Sequence, residues 1–433
     1  MEIKRDVYLD RLIVRKHNGL IKVITGIRRS GKSYLLNTLF YRHLIAENIS
    51  EDHIIKFAFD SAEDLLKIGE DPIVLDNEKE DQKVDPSKFI NWLMPQIKGD
   101  GMYYLLLDEV QKLGAFESVL NGFLRRENLD VYVTGSNSKF LSKDVLTEFR
   151  GRGDEVHVLP LSFSEYYAFK QGDKSEAYDD YSVYGGLPAV ALMVTEEQKT
   201  NYLISQMQNL YLRDIVNRYA VQDETALGEV IDVIASGIST LTNPRKIANT
   251  MNTIHGTKTC DATVDRYIGY AEEAFILTRV KRYNVKGRKY IGTPYKIYFE
   301  DVGLRNVRLS FRQIEGTHMM ENIIYNELRY RGYQVDVGTV ESREKDSSGK
   351  EIRVQREIDF IASLGSKKYY IQSAYAIPDQ EKYEQETKSF EHTMDSFKKI
   401  IIIEKSMKPR YDEHGYLMMG VKEFLLDANS LLI

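Results

Sequence analysis

Residues 26–33 read Gly26-Ile27-Arg28-Arg29-Ser30-Gly31-Lys32-Ser33, and they fit the pattern G-x-x-x-x-G-K-[ST] at every fixed position. The chemistry this spacing supports is capture of a polyphosphate. Glycines let successive backbone N–H groups turn toward phosphate oxygens, and a helix beginning at the second glycine adds its dipole. Lys32 is placed for the terminal phosphates, Ser33 for Mg2+, and Tyr34 extends the same binding segment. Arg28 and Arg29 do not spoil the loop, because backbone N–H groups form the cradle. Their side chains are free to turn toward acidic residues or a neighbouring domain.

Two further segments carry groups that such a loop needs. In YYLLLDEV an apolar strand delivers Asp108 and Glu109 at its C-terminal end, where ligands bind in open α/β sheets. Asp108 suits the Mg2+ shell and Glu109 suits a base that polarises an attacking water. The segment VYVTGSNS ends in small polar residues, of which Ser136 and Asn137 are candidates to touch the γ-phosphate or the water; a plain turn is the alternative. In EFRGRGDEV, Arg150 and Arg152 are candidate cations for charge developing in phosphoryl transfer, in this site or a neighbour's; surface arginines with no such role fit equally.

These groups must be positioned by strands alternating with helices. LIKVIT reads as a strand before the loop, and YLLNTLFYRHLI as the helix after it. HIIKFAF and MYYLLL read as strands, KFINWLMPQI and FESVLNGFLRR as helices, and the acidic stretch from Asp60 to about residue 86 as a solvated loop. Alternation of this kind implies βαβ units and a mainly parallel sheet, so the expected class is α/β. From about residue 160 to 220 the periodicity is helical. Residues 221–312 read as helices and then a hairpin, TRVKRYNVKGRKYIG, and the last part opens on the helix MMENIIYNELRYRG. Strands are expected at YQVDVG, REIDFIA, KYYIQSAY and KKIIIIE.

Length and composition bound the rest. A chain of 433 residues suggests two to four domains, and 42% hydrophobic with 29% charged residues is a globular composition. No apolar run approaches the ~20 residues that span a bilayer, so no membrane partner is expected. The start MEIKRDVYLD has no apolar stretch resembling a signal peptide, and Cys260 is alone; a reducing cytoplasm is the expectation. A net charge of −6 argues against a wholly basic nucleic-acid binder but permits a local basic patch.

Taken together, RDVYLDRLI, TGIRRSGKSYLL, LLLDEVQ, VYVTGSNSKFLS, FRGR and LPLSFSEYY resemble the AAA-superfamily ATPases of bacteria and archaea. The later runs YGGLP, LYLRDIVNRY and KIYFEDVGLRN resemble the C-terminal half of that group, which carries a domain of unknown function. The resemblance implies a P-loop ATPase core at 1–160, a helical lid or linker at 161–220, a winged-helix-like segment at 221–312 and an endonuclease-like α/β fold at 313–433. It also implies ATP as the nucleotide, and an arginine pair inside the loop is usual there.

The C-terminal half offers two more chemistries. The hairpin carries Arg279, Lys281, Arg282, Lys286, Arg288 and Lys289 with Tyr283 and Tyr290 between them, a strip suited to a nucleic-acid backbone. A solvated hairpin whose tyrosines pack on their own domain is the alternative. Glu321, Asp359 and IQSAY resemble the PD-(D/E)XK nuclease layout, which needs two carboxylates for Mg2+ and a lysine beside them. Gln372 and Ala374 stand at the second acid and lysine positions, so the expectation is a fold kept for binding, with Glu321, Asp359 and Glu357 structural. The sequence therefore points to an ATP- and Mg2+-dependent switch coupled to a DNA- or protein-binding half, with a homo-oligomer among its partners. A DNA-binding or interaction protein holding ATP as a structural ligand is the second reading, and an active nuclease the third.

Overall fold

The computed structural model describes residues 2–72, 83–135, 151–256, 259–345 and 350–433. The chain divides into two compact units, one of residues 2–160 with 273–275, the other of residues 161–272 with 276–433.

In the first unit, helix α1 (Asp6–Ile13) precedes strand β1 (Ile21–Thr25), which is buried along its whole length. The helix after the loop is α-helical at Lys32–Tyr34, widens to a π-helix at Leu35–Phe40 and returns to α at Tyr41–Ala46; together these form α2. There follow β2 (Ile54–Ala58), α3 (Ala62–Lys67), α4 (Pro86–Leu93), β3 (Tyr103–Asp108), α5 (Phe116–Phe123), β4 (Leu129–Thr134) and β5 (Gly153–His157). The sheet runs β2-β3-β4-β1-β5 and every pairing is parallel. Strands buried on both faces explain why LIKVIT and MYYLLL are continuous apolar runs rather than alternating ones. Register aligns the C-terminal strand ends, with Ile24 opposite Thr134, Leu107 opposite Val133 and Ala58 opposite Asp108.

Helix α3 corrects one expectation, since it lies in a stretch that reads as a solvated loop. Ser61 caps it by accepting from the Asp64 N–H, Glu63 and Asp64 fill its first turn, and Leu65 is buried beneath it. Acidic residues there are N-terminal helix signals as much as loop signals.

The second unit begins with helices α6 (Phe163–Lys170), α7 (Lys174–Tyr184), α8 (Pro188–Leu192) and α9 (Glu196–Ser205). Ser162 and Glu165 form a reciprocal capping box at the start of α6, which the segment LPLSFSEYY encodes directly. Helices α10 (Glu224–Ser236), α11 (Pro244–His255) and α12 (Asp261–Glu273) lead to the hairpin β6 (Leu277–Asn284) and β7 (Lys289–Phe299). After α13 (Val302–Arg308) and α14 (Gly316–Tyr330) come β8 (Gln334–Lys345), β9 (Glu351–Leu364), β10 (Lys367–Ala374), α15 (Gln380–Thr387), β11 (Lys398–Ile403), β12 (Arg410–Tyr411), β13 (Leu417–Gly420) and α16 (Val421–Leu426).

These strands form one sheet, β12-β13-β11-β10-β9-β8-β6-β7. The hairpin joins it where Arg282–Asn284 run parallel to Val337–Thr339. A boundary at residue 312 would therefore cut one sheet in two; the sequence does not reveal this, because the join is a three-residue pairing between distant segments.

The first unit's core has an aromatic centre. Phe89 of α4 is fully buried and meets Phe57, Phe59 and Phe123 edge-on, with ring centroids 5.0, 5.0 and 6.4 Å away. Trp92, the single tryptophan of the chain, packs on Phe57 at 5.1 Å. We expect Phe89→Ala to cost about 3–5 kcal/mol. Urea unfolding followed by Trp92 fluorescence reads this unit directly, and an unchanged midpoint would contradict the packing.

Candidate functional site

The phosphate-type loop sits where β1 ends. Gly26 has φ 131°, and a Cβ there would lie 2.1 Å from the carbonyl oxygen of Val158, so only glycine fits. Gly31 caps α2 at φ 95° and Arg29 takes φ 65°, which turns the loop back on itself. The Arg29 side chain is exposed and Arg28 half-buried, so backbone forms the inner surface, as the loop chemistry requires. The buried Lys32 ammonium points into the loop and donates to the carbonyls of Gly26 and Ile27, each at 2.9 Å.

Asp108, at the end of β3, is the centre of the site. Its carboxylate accepts from Ser33 Oγ at 3.1 Å, from Asn37 Nδ2 at 3.1 Å and from Thr134 Oγ1. Thr134 Oγ1 also accepts from the Glu109 N–H at 3.1 Å, so one buried hydroxyl ties the two acidic positions to the end of β4. Glu109 has φ 51°, a left-handed conformation that a non-glycine residue adopts only under local constraint, and Gln111 Nε2 donates to its carboxylate. Burial raises the Asp108 pKa, against the hydrogen bonds from Thr134 and Ser33. Desolvation and then the Glu109 charge do the same to Asp60, just past β2. Crowded carboxylates with raised pKa values are short of positive charge, which is the electrostatic condition of a cation site.

Ser33 and Asp108 are brought together as the sequence requires, with Lys32 in the loop and Glu109 beside Asp108. Tyr34 is tied outward, its hydroxyl donating to Glu2 at 2.5 Å, and burial followed by that bond pushes its pKa up to about 12. Ser136, Asn137 and Arg150 lie outside the described residues. Arg152 is a correction: it is exposed, and its carbonyl accepts from the N–H of Ile21, at the opposite end of β1 from the loop. About 13 Å of strand separates the two ends, so Arg152 does not serve this chain's own site.

Several contributors escaped the sequence reading. Thr134, Asn37 and Gln111 hold the acidic pair, and of these only Thr134, the last polar residue of an apolar strand, carried a signal. Arg5 is buried and braces the back of the loop, donating to the carbonyls of Ser30 at 3.0 Å and Leu159 at 2.6 Å.

In the second unit, the basic strip is smaller than its sequence suggests. Arg279 is paired with Asp265 and Glu272 of α12, both within 2.6 Å, and Arg282 is buried against Thr339 and Gln355. Lys281, Lys286, Arg288 and Lys289 remain exposed. Tyr283 and Tyr290 meet each other edge-on at 5.2 Å, and the Tyr290 hydroxyl donates to Asp336. Helix α12 supplies Asp265 and Glu272 to Arg279 and carries Asp261 in its first turn. Glu321, Glu357 and Asp359 gather around a lysine, Lys296 of β7.

No described helix is long and apolar enough to cross a membrane. Residues 18–167 match a family described as "AAA domain", and residues 175–315 match "Domain of unknown function (DUF8612)". An uncharacterized protein of Haemophilus influenzae is 34% identical over 410 residues, covering 93% of this chain and 94% of the relative. An uncharacterized protein of Methanocaldococcus jannaschii is 26% identical, covering 98% and 89%. Among solved structures, a Walker-type ATPase of Pyrococcus abyssi is 14% identical with a TM-score of 0.49, covering 71% of this chain and 96% of that one. With the loop, the acidic pair and the parallel sheet in place, the chain belongs to the family of AAA-domain P-loop ATPases that carry this C-terminal domain of unknown function.

Proposed function

We propose that the first unit binds ATP and hydrolyses it in a Mg2+-dependent reaction, and that this turnover acts as a switch on the second unit. The observation that carries the reading is the shared hydrogen-bond system of Ser33, Thr134, Asp108 and Glu109 beside Lys32. A hydroxyl and a carboxylate are the oxygen donors that suit Mg2+, and Ser33 and Asp108 would hold it. When bound, the ion supplies positive charge to the phosphates.

The remaining work falls to the chain itself. Backbone N–H groups of residues 27–33 would bind phosphate oxygens. The Lys32 ammonium, now satisfied by two loop carbonyls, would exchange them for the terminal phosphates at no cost in new charge burial. Glu109 would take the proton of the attacking water. Its αL backbone and its Thr134 and Gln111 contacts fix its direction before any substrate arrives, which is electrostatic preorganisation. Exposed Arg152 is left with two readings, a role toward the site of a neighbouring copy and a surface arginine with no part in turnover. Contact of the hairpin with DNA would rest on the exposed Lys281, Lys286, Arg288 and Lys289.

Glu109→Gln should lower phosphate release by about 10²–10⁴-fold while leaving ATP binding intact; full turnover in that variant would overturn the assignment of the base. Thr134→Val keeps the shape and removes the shared hydroxyl. It should lower kcat by roughly tenfold to a hundredfold with a smaller change in ATP affinity, the size expected for one buried hydrogen bond to a charged group. A loss of affinity with kcat unchanged would show instead that Thr134 serves binding.

A further inference from the structure

The Lys296 ammonium lies among three carboxylates, 2.8 Å from Glu321, 2.7 Å from Glu357 and 3.2 Å from Asp359, with its side chain only 3% exposed. The acids come from separate elements, Glu321 from α14 and the other two from β9. The Tyr298 hydroxyl also donates to Glu321 at 2.6 Å, and the Ser373 N–H to Asp359 at 2.9 Å. Asn322, next to Glu321, fixes β7 in place by bonding both the N–H and the carbonyl of Phe299 at 2.8 Å. Lys296 is therefore delivered by a strand clamped to the helix that carries one of its acids.

An ammonium has three protons; Glu321 and Asp359 accept two of them, and Glu357 adds an ion pair. The adjacent strand offers more oxygen than this. Gln372 continues the β9–β10 register opposite Asp359, which puts it on the same face of the sheet, and its Oε1 is buried with no hydrogen-bond partner. A divalent cation accepts six to eight oxygens where a lysine serves three. The cluster thus gathers three carboxylates around a site that a lysine occupies. Among the described residues no group of three or more acidic, histidine or cysteine side chains is arranged to hold a metal ion.

We propose that Lys296 is the resident cation of this carboxylate site, that it takes the position a divalent metal would need, and that the C-terminal fold is thereby kept metal-free. The lysine offsets one of the carboxylate charges and ties strand β7 to α14 and β9 in one interaction. Removing its charge while keeping its bulk leaves the oxygens in search of another cation, and calcium or manganese fits the donor set.

The test is thermal unfolding of the nucleotide-free full chain with and without millimolar CaCl2 or MnCl2. Wild type should shift by no more than about 1 °C, whereas Lys296→Met should gain about 5 °C or more, and adding Asp359→Asn to Lys296→Met should abolish the gain. No gain in Lys296→Met, or a wild-type gain that Asp359→Asn removes, would overturn the proposal. Should Lys296→Met not fold, Lys296→Met/Glu321→Gln removes one charge of each sign and is expected to show a gain of the same sign; its absence would count equally against the proposal.

Discussion

Parallel pairing places Ile24 opposite Thr134 and Leu107 opposite Val133, and the chemistry of the first unit follows from that alignment. A residue is 3.3 Å long in a strand, so a slip of one step would carry Asp108 out of reach of both Ser33 and Thr134. Every residue of β1, β3 and β4 is inside the unit, so the sheet that sets this alignment is held on both faces. Loop, acid and hydroxyl then meet without any of them being near the others in sequence.

The two units handle clustered carboxylates differently. Around Asp108 the neighbours are neutral donors, Ser33, Thr134 and Asn37, which orient the carboxylate but leave its charge available to a cation. Around Asp359 the neighbour is an ammonium, which already supplies a positive charge. Burial raises Glu321 to about 7 even with Lys296 beside it, and the Asp359 charge adds to the rise. One arrangement remains open to a ligand and the other is closed by the chain itself.

Much of this was legible in the sequence because the relevant signals are local. The loop pattern, the apolar strand ending in Asp108 and Glu109, and the strands YQVDVG, REIDFIA, KYYIQSAY and KKIIIIE all announce themselves within a few residues. What escaped depends on contacts between distant segments. Arg152 follows the β4 end in sequence and looks catalytic, yet it lies beside Ile21, at the end of β1 opposite the loop. Arg279 and Arg282 look like free cations until α12 and β8 supply their partners. Lys296 carries no sequence signal at all, since its role depends on Asn322 and Tyr298 holding β7 against α14.

The account stands on the loop at Gly26–Ser33 being a working site, and one measurement addresses that most directly: phosphate release from ATP by the wild-type chain and by Lys32→Ala, each with Mg2+ and with chelator. The account predicts release by wild type with Mg2+, and release at background in chelator and in the variant under either condition. Equal release by Lys32→Ala and wild type would contradict it.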